Sequence, residues 1–159
     1  MKFNDKIKNH MRKNVVYINT EERLADVIFK MSQVQTDMAI VKSNKDILGV
    51  ITETDIYFAL VKEVLPEPYK ESNISRKFED LQLIEVFRGP TAKKVMSSCD
   101  SLGWHPCIDA YEDGTIEDAI RIMQRSDRHH LIVRDNKNNI TGTISSSDII
   151  KSFGRSKEN

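Results

Sequence analysis

The hydrophobic positions of this chain fall into runs of two kinds, and the runs recur in one order. Leu24, Val27, Ile28 and Met31 stand at helical spacing, as do Ile116, Ala119, Ile120 and Met123. Before each set lies a short strand-like stretch, Val15-Val16-Tyr17-Ile18 or Cys107-Ile108-Asp109-Ala110. After the first set come Met38-Ala39-Ile40-Val41 and Ile47-Leu48-Gly49-Val50-Ile51; after the second come Leu131-Ile132-Val133 and Ile140-Thr141-Gly142-Thr143-Ile144. Polar turns, Ser43 to Asp46 and Asp135 to Asn139, separate the paired strands. The last strand of each group runs straight into a helix carrying Ile56, Ala59 and Leu60, or Ile149, Ile150 and Phe153. Thr115 with Asp118 fits a capping box at a helix start. The pattern predicts an α+β fold with the order β-α-β-β-α, twice.

The copies keep register. Leu24 and Ile116 lie 92 residues apart, as do Met31 and Met123; Gly49 and Gly142 lie 93 apart, as do Asp55 and Asp148. A loop between helix and strand absorbs the one-residue slip. Met11 and Met96 are equivalent at an offset of 85, so the second copy carries about seven extra residues within Ser97 to Pro106. The division that follows is a first repeat at 1–62, a linker at 63–90 and a second repeat at 91–159. A repeat this small buries too little surface to be stable alone, which predicts two copies packed with pseudo-twofold symmetry. In the linker, Pro66 and Pro68 end the preceding helix, and Phe78 to Phe87 reads as largely helical, stopped by Gly89-Pro90. That segment is expected to pack on the repeats or on another subunit; a ligand lid or partner dock is the alternative.

Charge and cysteine content remove several classes of function. Lys and Arg total 24 and so do Asp and Glu, which gives no long-range draw toward nucleic acid. The apolar runs fall far short of the roughly 20 residues a membrane helix needs, and no apolar region follows the charged start. The two cysteines, Cys99 and Cys107, are expected to be reduced thiols in a cytoplasmic protein, with a disulfide between them as the alternative. Cys99, His105 and Cys107 match no structural zinc spacing, and no metal is expected. Phosphate-loop lysine motifs, nucleophile elbows and paired carboxylates at a defined spacing are lacking, so no catalysis and no cofactor are expected. Trp104 lies in the extra residues and reads as cover for local core, with base stacking or an interface as alternatives.

Two motifs carry chemistry: Gly49-Val50-Ile51-Thr52-Glu53-Thr54-Asp55 and Gly142-Thr143-Ile144-Ser145-Ser146-Ser147-Asp148. They fit the G-h-h-[ST]-x-x-D signature of the CBS (cystathionine-β-synthase) domain family, and the chain resembles a tandem pair of such domains over most of its length. An Asp carboxylate accepts two hydrogen bonds, and a ribose offers two adjacent hydroxyl donors. The helix N-terminus beside it favours phosphate, and a glycine lets a ligand approach the backbone. The same [ST]-x-x-D is also a helix cap, and the two roles use different lone pairs.

The resemblance implies a regulatory module that binds an adenosine-containing ligand (AMP, ADP, ATP or S-adenosylmethionine) in the cleft between repeats. It implies ribose contacts at Thr52, Asp55, Ser145 and Asp148. One base pocket is expected near Val16, Thr36 and Met38, serving the Ser145 and Asp148 site, the other near Ile108, Arg128 and His130, serving the Thr52 and Asp55 site. Arg128, His129 and His130 are the expected phosphate contacts, with a solvated turn as the alternative; the matching Gln35 to Met38 has no cation, so the site nearest Asp148 is expected to be the better phosphate binder. A homodimer that signals to an effector protein is expected; the alternative is a CBS interaction or dimerisation module that binds no ligand.

Overall fold

The structure is a computed structural model that describes residues 1–64, 87–99 and 108–155. Of the linker helix expected over Phe78 to Phe87, residues 78–86 lie outside the described residues, as do the extra residues around Trp104. The fold is α+β, and the chain divides into two compact units. One is continuous, Val16–Ser97; the other is split, Met1–Val15 with Ser98–Asn159.

The continuous unit runs β1 (Val16–Asn19), α1 (Leu24–Gln33), β2 (Met38–Ser43), β3 (Asp46–Thr52), α2 (Glu53–Val64) and a short α3 (Ala92–Val95), with β4 (Ser97–Ser98) at its boundary. Its sheet has the order β1-β2-β3-β4. β1 pairs parallel with β2, and β2 antiparallel with β3. The helical crossover α1 is what a parallel pair requires, whereas β2 and β3 need only a turn. In that turn Asn44 takes φ 55°, a left-handed conformation that Asn tolerates. β1 alternates buried and exposed residues, while Met38 to Val41 of β2 are all buried, as suits an interior strand. Leu24, Val27 and Met31 of α1 pack on Val16, Ile18, Ala39, Val41 and Ile51.

The split unit begins with a single 3-10 turn (Ile7–Asn9), then β5 (Asp109–Tyr111), α4 (Ile116–Ser126), β6 (His130–Arg134), β7 (Ile140–Ser145) and α5 (Ser146–Arg155). Its sheet order is β5-β6-β7, parallel then antiparallel. Asp135 shapes the β6–β7 turn: its carboxylate accepts from Lys137 N (2.9 Å) and Asn139 N (2.8 Å). Ile7 from the N-terminal arm is fully buried among Ala110, Ile116, Ala119, Leu131 and Ile144. Backbone bonds tie the arm down, Ile7 N to Gly114 O (2.9 Å), Lys8 N to Glu112 O (3.0 Å) and Ile116 N to Asp5 O (2.9 Å).

Each unit thus holds a β-α-β-β-α core together with the lead-in segment of the other copy. Residues 1–15 precede the first β-α-β-β-α core and pack with the second; residues 90–97 precede the second core and pack with the first. The packing units cut across the sequence division into 1–62, 63–90 and 91–159. One expectation is corrected: Cys99 is disulfide-bonded rather than a free thiol. Cys107, the chain's other cysteine, lies outside the described residues.

Candidate functional site: two carboxylates at strand-to-helix junctions

β3 passes into α2 without a loop, leaving the first helical N–H groups without intrahelical acceptors. Asp55 and Thr52 meet that need. Thr52 N and Oγ1 donate to Asp55 Oδ2 at 2.8 and 2.7 Å, and Asp55 N donates back to Thr52 Oγ1 at 3.3 Å. The β7–α5 junction repeats the arrangement. Ser145 N and Oγ donate to Asp148 Oδ2 at 3.1 and 3.0 Å, and Asp148 N donates to Ser145 Oγ at 3.3 Å. Capping therefore uses Oδ2 in both copies and leaves Oδ1 for a second role.

Oδ1 is where the copies differ. Asp55 Oδ1 accepts from Ser97 Oγ at 2.9 Å. Asp148 Oδ1 is ion-paired with Arg12 Nη2 at 2.7 Å. Asp148 is 7% exposed, so this pair sits largely out of water. Sequence reasoning missed both partners. The signal was there: Arg12 and Ser97 each follow a lead-in methionine, at the same offset as Met11 and Met96.

The signature glycines need correcting for the same reason. They were expected to make room for a ligand. A Cβ on Gly49 would collide with the Ser97 carbonyl oxygen, and one on Gly142 with the Arg12 carbonyl oxygen. The lead-in backbone takes the space. Arg12 and Thr143 exchange both backbone hydrogen bonds, Arg12 N to Thr143 O at 2.8 Å and Thr143 N to Arg12 O at 2.9 Å.

The other expected residues can be placed within their own units. Val16 and Met38 are buried in the continuous unit, and Met38 pairs with Thr52 across β2 and β3. Thr36, just before β2, donates through Oγ1 to Met38 O at 3.2 Å. Ile108 is half-buried against the split unit's core, and its carbonyl accepts from Ile132 N at 3.0 Å. His130 opens β6 opposite Ser145, and the His129 carbonyl accepts from Ser146 N at 2.9 Å, so both histidines stand beside the Asp148 junction. Arg128 and His129 are exposed. His129 also borders an open, mostly apolar groove of about 450 Å³ with Ile120, Met123, Ile149 and Ile150. Asp55 lines a cavity of about 250 Å³ with Phe58, Lys62, Lys94 and Val95.

Among the described residues, no group of three or more His, Cys, Asp or Glu is placed to hold a metal ion. No helix among them is long and apolar enough to cross a membrane.

The family model described as "CBS domain" matches residues 7–62 and 99–155, more than half of the chain. The chain is similar to the uncharacterized protein MJ1426 of Methanocaldococcus jannaschii, 26% identical over 155 residues that cover 92% of this chain and 90% of the relative. It is similar in structure to an uncharacterized conserved protein from Pyrococcus horikoshii (TM-score 0.65, 14% identity, 96% of this chain and 95% of that one). It is also similar to the CBS domain pair of protein MJ0100, solved in complex with 5′-methylthioadenosine and S-adenosyl-L-methionine (TM-score 0.64, 16% identity, 96% and 98%). At these identities the structural likeness is one of fold.

Proposed function

This chain belongs to the CBS-domain family, and from that premise we propose that it is a sensory module in which Asp55 and Asp148 each hold the ribose of an adenosine-containing ligand. AMP, ADP, ATP and S-adenosylmethionine all present the required vicinal hydroxyls. Binding favours whichever conformation of the module contacts the ligand better, and the change passes to an effector protein. The observation that carries this reading is the division of labour within each carboxylate. Oδ2 is committed to the helix cap, and Oδ1 is turned to a separate donor, which at Asp55 is a hydroxyl, Ser97 Oγ at 2.9 Å. A chain hydroxyl there has the chemistry of the sugar hydroxyl that would replace it. The two ligands named for the MJ0100 pair both carry an adenosine moiety, which supports the same class. Of the expected phosphate contacts, His130 opens the strand paired with Ser145, and the His129 carbonyl just before it accepts from Ser146 N.

A titration calorimetry experiment with AMP tests the reading. Asp148→Ala should weaken binding at that site about tenfold or more, a loss of about 1.4 kcal/mol. An unchanged affinity with the fold intact removes the ribose assignment.

A second reading, an interaction or dimerisation module without a small ligand, draws on two observations. Both Oδ1 atoms already have partners within the chain. Tyr57 and Phe58 on α2, and Ile150 and Phe153 on α5, are large apolar side chains left exposed. A concentration-dependent dimer that binds no adenine compound would favour this second reading.

A further inference from the structure

We infer that Arg12 sets the ligand specificity of the Asp148 carboxylate, reserving it for a ligand that carries an anionic group near its vicinal diol, while the Asp55 carboxylate accepts a neutral one. The inference rests on the proposed function and deepens it. It starts from the position after each lead-in methionine, where the group bonded to the free carboxylate oxygen differs in charge between the two junctions. Ser97 brings a neutral hydroxyl to Asp55 Oδ1, and Arg12 brings a permanent cation to Asp148 Oδ1.

Exchange at Asp55 is even. One hydroxyl leaves the carboxylate oxygen and another replaces it, with no change in charge. Exchange at Asp148 is not. A diol arriving at Oδ1 competes with a guanidinium bonded at 2.7 Å, with side-chain exposures of only 23% for Arg12 and 8% for Asp148. Parting a shielded ion pair is costly unless the displaced charge finds a new counter-charge. A phosphate or carboxylate on the ligand supplies it and can be held by two parallel N–H···O bonds. A neutral nucleoside supplies nothing and meets only the cost. The Arg12 backbone is fixed by its paired hydrogen bonds to Thr143, so only the side chain needs to swing. Asp148 lies in the first turn of α5, ten residues long, whose dipole favours an anion at the same end.

Calorimetry with two probes, AMP and adenosine, separates the terms. Asp55→Ala disables the other junction and leaves the Arg12 site. That variant should bind AMP about tenfold or more tightly than adenosine. Adding Arg12→Gln, which keeps a side-chain donor but no charge, should shrink that preference about threefold or more, and Arg12→Lys should restore it. Equal affinities in Asp55→Ala, or a preference that Arg12→Gln leaves unchanged, overturns the inference. If Arg12→Gln fails to fold, the salt dependence of the preference in Asp55→Ala decides: an ion-paired preference shrinks at high salt, and a constant one overturns the inference. Binding of adenosine and AMP alike leaves the proposed function standing and removes only the role of Arg12. Binding of neither compound by the unaltered chain removes both.

Discussion

At Gly49 and Gly142 the absence of one carbon decides where another stretch of chain runs. The lead-in backbone lies against each glycine, and a Cβ on Gly142 would also come within 2.9 Å of Met11 Sδ. Backbone held by paired hydrogen bonds cannot yield as the end of a flexible side chain can. Gly142→Ala should therefore cost about 1–3 kcal/mol, the range for inserting an atom into filled space. Urea denaturation would show a lower midpoint at an unchanged slope; a midpoint equal to that of the unaltered chain would mean the arm can move aside freely. A sequence shows that a side chain is missing but not what occupies the space. The glycines were legible as points of close approach, and the approaching group was not. The same holds for Asp55 and Asp148, recognisable as a pair from the repeat, whose second partners Ser97 and Arg12 come from the segment before the other copy.

Helix starts show the same limit one level up. α4 opens with the capping box read from Thr115 and Asp118: Thr115 N and Oγ1 donate to Asp118 Oδ2 at 2.9 and 2.8 Å, and Asp118 N donates to Thr115 Oγ1 at 3.1 Å. The backbone N–H of Thr115, and then its hydroxyl, hold the Asp118 carboxyl below its ordinary value of 3.8. A folded-state value below the unfolded one adds stability that is complete above the unfolded value and is lost as pH falls through the folded one. Thr115→Ala should cost about 1 kcal/mol at neutral pH, and the gap to the unaltered chain should narrow in urea titrations below pH 4. A gap of the same size at both pH values would show that the carboxylate takes no part. Because Asp118 is exposed, solvent screening keeps the charge contribution small. α1, by contrast, has no side-chain cap at Arg23. Its first N–H, on Leu24, goes to Pro90 O at 3.0 Å, just as Ile116 N goes to Asp5 O at 2.9 Å. Local caps can be read from three or four adjacent residues. Caps supplied from a distant lead-in cannot, because hydrophobic periodicity carries no information about which segments exchange.

For the molecule as a whole, the exchanged lead-ins mean that a cut in the linker does not yield two complete units. A fragment of residues 87–159 lacks Ile7 and the strand-like contact of Arg12 with Thr143; a fragment of residues 1–86 lacks Ala92 and Ser97. Each alone should show poor amide dispersion by NMR, and an equimolar mixture should recover the pattern of the intact chain. A fully dispersed 87–159 spectrum, unchanged on adding 1–86, would show that the arm contributes nothing essential. The β-α-β-β-α order was visible in the sequence because each copy announces it through its own periodicity. The exchange was not, because it is a property of the pair. It also imposes a timetable on the growing polypeptide. The middle stretch, Val16 to Ser97, can settle as soon as it clears the ribosome, whereas residues 1–15, made before it, stay undocked until Thr143 has been added. At about 5–20 residues per second that delay is on the order of ten seconds, so buried Ile7 begins its life exposed and is among the last side chains to leave water.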